Sequence, residues 1–217
     1  MSALPSTSDP ADGLIRSLRQ QPLLIVLRPD QDDLQTSFPL SRLCRRLDQL
    51  VEAGVRHVEL AWMSDPRWSD LALKLRDRHP DLKLGAASIT QESALDLVAQ
   101  LGFSYAMSPL FDRSLQRRAQ ELGSLLVPGV MTPSEIRQAA DCGCRLVKLF
   151  PASVLGLTFQ RQIAVPMGTV PFLIAAGGLR AVDLSPWLEA GYDAIALGRT
   201  VFENDGLDPS LAAWLRT

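Results

Sequence analysis

The chain has 217 residues, of which 47% are hydrophobic and 21% are charged, and its formal net charge is -2. This size and composition indicate one soluble globular domain across residues 1–217, and the nearly balanced charge argues against a nucleic acid or an anionic membrane as partner. Three cysteines are too few for a disulfide framework, no apolar run is as long as a membrane span, and no secretory signal is visible, so we expect a cytoplasmic protein.

The predicted elements begin after a polar tail at residues 1–8. Asp9 and Pro10 resemble an N-cap followed by a first-turn proline, and this helix is predicted to run to about Arg19. Short apolar strands then alternate with longer amphipathic segments. The predicted strands are residues 23–27, 55–60, 82–86, 103–108, 125–128, 146–150, 172–176 and 194–197.

The spacing of these strands indicates the fold class. Each strand and its following segment take about 20–30 residues, as βα units require. The segment 40–51 has helical periodicity, with an apolar face made of Leu40, Leu43, Cys44, Leu47, Leu50 and Val51. Eight such units predict an α/β fold, a single-domain (β/α)8 TIM barrel with an extra N-terminal helix. The alternative is an open doubly wound sheet, which the absence of a GxGxxG motif after the first strand disfavours. Residues 29–39 are predicted as the longest polar loop.

Lys148 is the sharpest chemical signal. It is one of only three lysines, and strand alternation puts it on one face with Leu146 and Phe150 in an otherwise apolar strand. A buried lysine is costly unless its amine is neutral or paired, and a neutral amine is what a nucleophile requires. The alternative is a lysine that reaches solvent from the strand end. Lys83 and Lys74 are weaker candidates, because one begins its strand and the other lies in a polar segment.

Glu59 is the second signal, near the C-terminal end of another apolar strand, where catalytic residues of a barrel are expected. Burial would raise its pKa toward neutrality and suit it to general acid–base work. The alternative is an ion pair with a neighbouring arginine such as Arg28. His57 shares the inward face and is predicted as a core residue, while Cys142 and Cys144 lack the companions of a zinc site. We therefore predict neither a metal nor a cofactor.

Glycine turns follow the seventh and eighth predicted strands, where barrels commonly bind phosphate through backbone N–H groups. They are Gly177-Gly178 and Gly198-Arg199-Thr200, with the Thr200 hydroxyl predicted to open the last helix. The alternative is that both are ordinary tight turns.

The segment from Gly143 to Gly156, which contains Arg-Leu-Val-Lys148-Leu-Phe-Pro, is similar along its length to a Schiff-base lysine signature. It resembles that of the 2-keto-3-deoxy-6-phosphogluconate/4-hydroxy-2-oxoglutarate (KDPG/KHG) aldolases. The stretch from Gly54 to Glu59 also agrees with the family, but the next residues depart from it. Where the family has an arginine that helps hold the substrate carboxylate, this chain has Met63. Either Arg28, in a setting like the family's first strand, replaces it, or the substrate differs.

The resemblance continues at Gly85-Ala-Ala-Ser88, Met107-Ser-Pro109 and Pro128-Gly-Val-Met-Thr132. It implies catalysis by Lys148 and Glu59, and a homotrimer. The implied substrate-binding residues are Arg28, Ser88, Pro109, Thr132 and Phe150. The implied phosphate-binding residues are Gly177, Gly178, Gly198, Arg199 and Thr200, with Arg199 in place of a small residue.

Three functions are therefore weighed. The first is a class I aldolase that cleaves a 2-keto-4-hydroxy acid, KDPG or 4-hydroxy-2-oxoglutarate or both, to pyruvate and an aldehyde through a Schiff base on Lys148. The second is a sugar-phosphate isomerase, epimerase or synthase on the same barrel, in which Lys148 is only an electrostatic group. The third, motivated by Met63, is a non-catalytic relative that binds pyruvate or phosphate.

Overall fold

A short helix closes one end of a parallel barrel. The computed structural model describes residues 9–203 and 206–216, and the predicted polar tail at residues 1–8 lies outside them. Helix α1, Pro10–Gln20, begins as predicted, since the Asp9 side chain accepts a hydrogen bond from the Ala11 backbone N–H. Its buried face, which includes Leu14 and Leu18, packs with the side chains inside the barrel. The N-terminal end of the barrel is thus filled by apolar contacts.

The barrel strands are all parallel and follow the order β5-β4-β3-β2-β1-β9-β8-β7-β6. Their bounds are β1 Leu23–Leu27, β2 His57–Ala61, β3 Lys83–Ala87, β4 Tyr105–Met107, β5 Leu126–Val127, β6 Gly129–Val130, β7 Leu146–Leu149, β8 Phe172–Ala176 and β9 Ala194–Leu197. A hairpin follows, with β10 at Phe202–Glu203 and β11 at Gly206–Leu207. The predicted barrel is confirmed, with small shifts at several strand ends.

The fifth predicted strand differs most from expectation. It is interrupted at Pro128, so that β5 pairs with β4 while β6 pairs with β7. Proline has no N–H to donate to a sheet ladder, which explains the break. The Pro128 carbonyl still accepts a hydrogen bond of 2.8 Å from the Lys148 backbone N–H. Pro128, which separates β5 from β6, therefore still contributes a backbone hydrogen bond to β7.

The remaining helices surround the strands. They are α2 Gln31–Gln35, α3 Arg42–Glu52, α4 Arg67–Arg78, α5 Glu92–Gln100, α6 Arg113–Glu121, α7 Pro133–Asp141, α8 Ala152–Leu155, α9 Phe159–Met167, α10 Leu184–Glu189 and α11 Pro209–Trp214. No helix in the described part of the chain is both long and apolar enough to cross a membrane.

Two local predictions are wrong. The loop predicted at residues 29–39 contains α2, which Asp30 and Asp33 stabilise with a reciprocal capping box. Leu40 was expected on the apolar face of the next helix but is 68% exposed in a 3₁₀ turn. That helix begins later because the Ser41 side chain caps it by accepting from the Cys44 N–H.

The two faces of each strand enter different parts of the core. In β7, Val147 and Leu149 pack outward against the helices, whereas Leu146 packs inside the barrel. Alternation therefore turns Lys148 inward, as predicted. His57 is a core residue, also as predicted: its Nε2 lies 2.7 Å from Ser17 Oγ and its Nδ1 lies 3.1 Å from the Leu23 carbonyl oxygen.

Candidate active site

A cavity of about 350 Å³ opens at the C-terminal ends of the strands. It brings together eleven of the twelve predicted site residues: Arg28, Glu59, Ser88, Pro109, Lys148, Phe150, Gly177, Gly178, Gly198, Arg199 and Thr200. Thr132 is not among its lining residues. The Thr132 hydroxyl instead caps α7, where it bonds the Glu135 N–H while the Glu135 carboxylate binds the Thr132 N–H. In this structure Thr132 is thus the N-cap of α7, and its predicted contact with substrate stays a prediction.

Lys148 lies inside this cavity with 7% of its surface exposed. Burial lowers the pKa of its amine, the nearby Glu59 carboxylate opposes that change, and the Arg28 charge reinforces it. Its Nζ lies 5.4 Å from the centre of the Phe150 ring. An amine with a lowered pKa is neutral more often near pH 7, so it can act as a nucleophile.

Glu59 faces the same space from β2 and is 1% exposed. Burial raises the pKa of its carboxyl from 4.5 to about 7, although the charges of Lys148 and Arg28 oppose the rise. Its Oε1 has no hydrogen-bond partner among the described residues. A carboxyl with a pKa near 7 is suited to accept and return a proton at neutral pH.

Arg28 extends over the cavity from the end of β1 and donates from Nη1 to Ser88 Oγ at 3.4 Å. Ser88 has a φ of 65°, in the left-handed region that residues other than glycine rarely adopt. Met63, in contrast, packs against the outer core and does not line the cavity. The guanidinium at this end of the cavity therefore comes from β1 rather than from the segment after β2.

The glycine turns after β8 and β9 form the part of the cavity wall next to Arg28, because β9 pairs with β1. Gly177 has a φ of 94°, and a Cβ there would lie 2.9 Å from the Phe150 ring. Gly178 has a φ of 78°, and a Cβ there would lie 2.1 Å from the Ser153 hydroxyl oxygen. Positions 177 and 178, both in the turn after β8, therefore require glycine, whereas a Cβ at Gly198 would meet no atom within 4 Å.

Thr200 does not open the last helix, as had been predicted. Its hydroxyl donates to the Leu179 carbonyl at 3.1 Å and so joins the two glycine turns. It lies in the 3₁₀ turn Arg199–Val201, after which the chain enters the β10–β11 hairpin. The last described helix, α11, is capped by Asp208 instead.

A second cavity of about 240 Å³ adjoins the first, and sequence reasoning missed it. The two share Val26, Arg28, Gly198 and Arg199 as lining residues. The second also contains Arg42 and Arg46, so its four arginines and one aspartate, Asp33, give the lining a formal charge of +3. The Arg46 guanidinium lies 4.7 Å from the centre of the Phe202 ring. The only signal in the sequence was the one-turn spacing of Arg42 and Arg46 on α3.

A parallel barrel that buries an amine and a carboxyl together at its mouth has the arrangement of a Schiff-base aldolase. The model of the KDPG and KHG aldolase family matches residues 15–210, and the chain belongs to that family. Its relatives include the 2-dehydro-3-deoxy-6-phosphogalactonate aldolase of Escherichia coli K12, 25% identical over 178 residues, or 77% of this chain and 86% of the relative.

Two solved structures share the fold. A native KDPGal structure is 22% identical with a TM-score of 0.74, covering 90% of this chain and 91% of its own. The KDPG aldolase of Legionella pneumophila, with pyruvate captured as a covalent carbinolamine, is 20% identical with a TM-score of 0.72, covering 89% and 91%. The predicted family and barrel are thus confirmed, and the chain is a carbon–carbon lyase of that family.

Proposed function

We propose that this chain cleaves a 2-keto-4-hydroxy acid to pyruvate and an aldehyde, with Lys148 forming the Schiff base and Glu59 moving the proton. The observation that carries the proposal is the shared burial of these two side chains in one cavity at the barrel mouth. Family membership supplies the reaction class.

The reaction begins when the neutral Lys148 amine attacks the C2 ketone and forms a carbinolamine. Loss of water gives an iminium ion. The Glu59 carboxylate then accepts the proton of the C4 hydroxyl, the C3–C4 bond breaks, and its electron pair passes into the iminium to form an enamine. The aldehyde leaves, C3 accepts a proton, and water hydrolyses the resulting iminium to release pyruvate and regenerate the amine.

The protonation states that this sequence requires agree with the electrostatics of the cavity. The lysine must be neutral before the first step, and the glutamate must be ionised before the C3–C4 bond breaks. Burial lowers the pKa of Lys148, which favours the neutral amine, and a pKa of about 7 leaves a substantial ionised fraction of Glu59 at neutral pH. The carbinolamine captured in the Legionella relative supports a covalent route.

The substrate is proposed to lie between two cationic groups. Arg28, held near Ser88, binds the keto-acid carboxylate in place of the arginine that is absent at Met63. The glycine turns and Arg199 bind an anion at the distal end of the aldehyde half. A phosphate fits the positive charge of the adjoining cavity, which favours KDPG or its galactonate counterpart over 4-hydroxy-2-oxoglutarate.

We further propose a cytoplasmic homotrimer. Four apolar side chains in the segments that follow β4, β6 and β7 are exposed, as expected of a surface that packs against other copies of the chain. They are Leu110 at 45%, Met131 at 39%, Val154 at 68% and Leu157 at 40%. Light scattering tests the assembly: a trimer is expected, and a monomer at micromolar concentration contradicts it.

Borohydride trapping with pyruvate tests the covalent step. The wild-type chain should gain the mass of one reduced pyruvate adduct, and peptide mapping should locate it on Lys148. Lys148→Ala should abolish the adduct, whereas Lys83→Ala should retain it because Lys83 is exposed at the opposite end of the barrel. Absence of an adduct on the wild-type chain, or its retention in Lys148→Ala, contradicts the proposal.

A further inference from the structure

Tyr105 is a buried residue that the reaction outlined above does not use. It lies on β4 inside the barrel, is 2% exposed, and its hydroxyl has no hydrogen-bond partner among the described residues. Buried tyrosine hydroxyls are normally hydrogen-bonded, because leaving a polar atom unpaired in an apolar interior is unfavourable. This hydroxyl therefore requires an explanation.

Strand register puts Tyr105 beside Glu59. On β3, Gly85 pairs with Glu59 of β2 on one side and with Tyr105 of β4 on the other. A Cβ on Gly85 would lie 2.4 Å from both Cε2 and Cζ of the Tyr105 ring. The ring thus occupies the space that a side chain on β3 would fill. Cζ carries the hydroxyl, so that group lies over β3, and it is close enough to Glu59 for the charge of the carboxylate to raise the pKa of the phenol.

The Glu59 carboxylate lacks a hydrogen-bond donor, and the Tyr105 hydroxyl lacks an acceptor. Glu59 Oε1 and the Tyr105 hydroxyl are both buried and both lack a partner among the described residues. Burial raises the pKa of Tyr105 well above its usual value, and the charge of Glu59 raises it further, so the phenol stays protonated and can donate. One water bridging the two groups would satisfy both atoms.

We propose that Tyr105 is a positioning residue: its hydroxyl donates a hydrogen bond to one bridging water, which in turn donates to the Glu59 carboxylate. This bond orients the carboxylate and favours its ionised form, which the cleavage step requires. The charged groups that act on Glu59 from the other strands are Lys148 and Arg28. His57, the preceding inward residue of β2, bonds to Ser17 and Leu23 instead. The catalytic part of this inference rests on the proposed function.

Tyr105→Phe should therefore move the acid limb of the kcat–pH profile upward by about one pH unit. The limb moves upward because the ionised carboxylate loses a donor, so a higher pH is needed to deprotonate it. At pH 7 this corresponds to a loss of about fivefold in kcat. At high pH the variant should approach the wild-type rate, and a merely structural defect would not show this recovery.

Tyr192→Phe is the matched control, because Tyr192 is the only other tyrosine and its hydroxyl bonds to the Gly156 carbonyl rather than facing the barrel. It should leave the acid limb unmoved. In a Glu59→Gln background, Tyr105→Phe should not lower kcat further, because the residue acts through the glutamate. An unmoved limb in Tyr105→Phe, or a further loss in the double variant, overturns the proposal.

A second experiment keeps the hydroxyl at position 105, so it remains informative if Tyr105→Phe does not fold. In Tyr192→Phe grown with 3-fluorotyrosine, Tyr105 gives the single fluorine resonance. Its chemical shift should titrate with the Glu59 pKa of about 7, and this titration should vanish in Glu59→Gln. A fluorine chemical shift that does not change with pH near 7 refutes the contact. This result is independent of turnover, so it separates failure of the contact from failure of the aldolase proposal, which the pyruvate adduct reports.

Discussion

Glu59→Gln should make the protein more stable at alkaline pH while removing its proposed base. Burial raises the folded-state pKa of this carboxyl from 4.5 to about 7. Because the folded value is the higher one, ionisation disfavours folding progressively as the pH rises from about 4.5 to 7, and fully above it. At about 1.4 kcal/mol per pKa unit, the cost is about 3 kcal/mol. Glutamine keeps the shape but never ionises.

The comparison is made by urea denaturation at a fixed protomer concentration, at about pH 4 and about pH 9. The gain of Glu59→Gln over wild type should be about 3 kcal/mol greater at the higher pH. Glu135→Gln is the control, and its stability change should depend on pH in the opposite direction. Backbone and hydroxyl hydrogen bonds at the start of α7 hold the pKa of the Glu135 carboxyl below its usual value, so this substitution should be more destabilising at the higher pH. A Glu59→Gln effect that does not change with pH refutes a raised pKa at Glu59.

Three further substitutions test the proposed roles of residues that line the cavity. Arg28→Gln should raise KM for the keto acid by about tenfold or more, since a charge-assisted bond to a carboxylate contributes about 1.5–3 kcal/mol; Arg117→Gln, exposed on α6, should not. Arg199→Gln should raise KM several-fold for a phosphorylated substrate while pyruvate trapping proceeds unchanged; equal effects on both would contradict a distal role. Gly178→Ala should lower the melting temperature and kcat far more than Gly123→Ala. Both glycines have positive φ, but only a Cβ at Gly178 meets another atom, a serine oxygen at 2.1 Å. Similar melting temperatures for the two variants would argue against that collision.

The chemistry within single strands was predictable from the sequence. Period-2 alternation depends only on neighbouring residues, so it predicted that Lys148 faces inward, and burial then determines the direction of its pKa change. Strands with continuous apolar runs, such as β1 and β8, were predicted to the residue. The roles of the residues that line the cavity stay predictions until variants are measured.

Features that depend on contacts between distant segments were not predictable in the same way. The relation of Tyr105 to Glu59 requires the lateral register of β2, β3 and β4, which no local pattern encodes. The second cavity requires that α3 and the turn after β9 lie against the same edge of the barrel. Helix α2 has five residues, which is too short for helical periodicity to be recognised in the sequence.

Arg28 also has an electrostatic consequence beyond its proposed role of binding the substrate carboxylate. An isolated lysine–glutamate pair in an apolar cavity has no intrinsic preference for the state that catalysis needs, because each group's charge stabilises the charge of the other. The Arg28 charge lowers the pKa of Lys148 and also that of Glu59. It therefore shifts the pair toward a free amine beside an ionised carboxylate. A neutral residue that held the substrate carboxylate equally well would lose this effect, so under the proposed mechanism the Arg28 guanidinium would favour the reactive forms of Lys148 and Glu59 as well as bind the substrate.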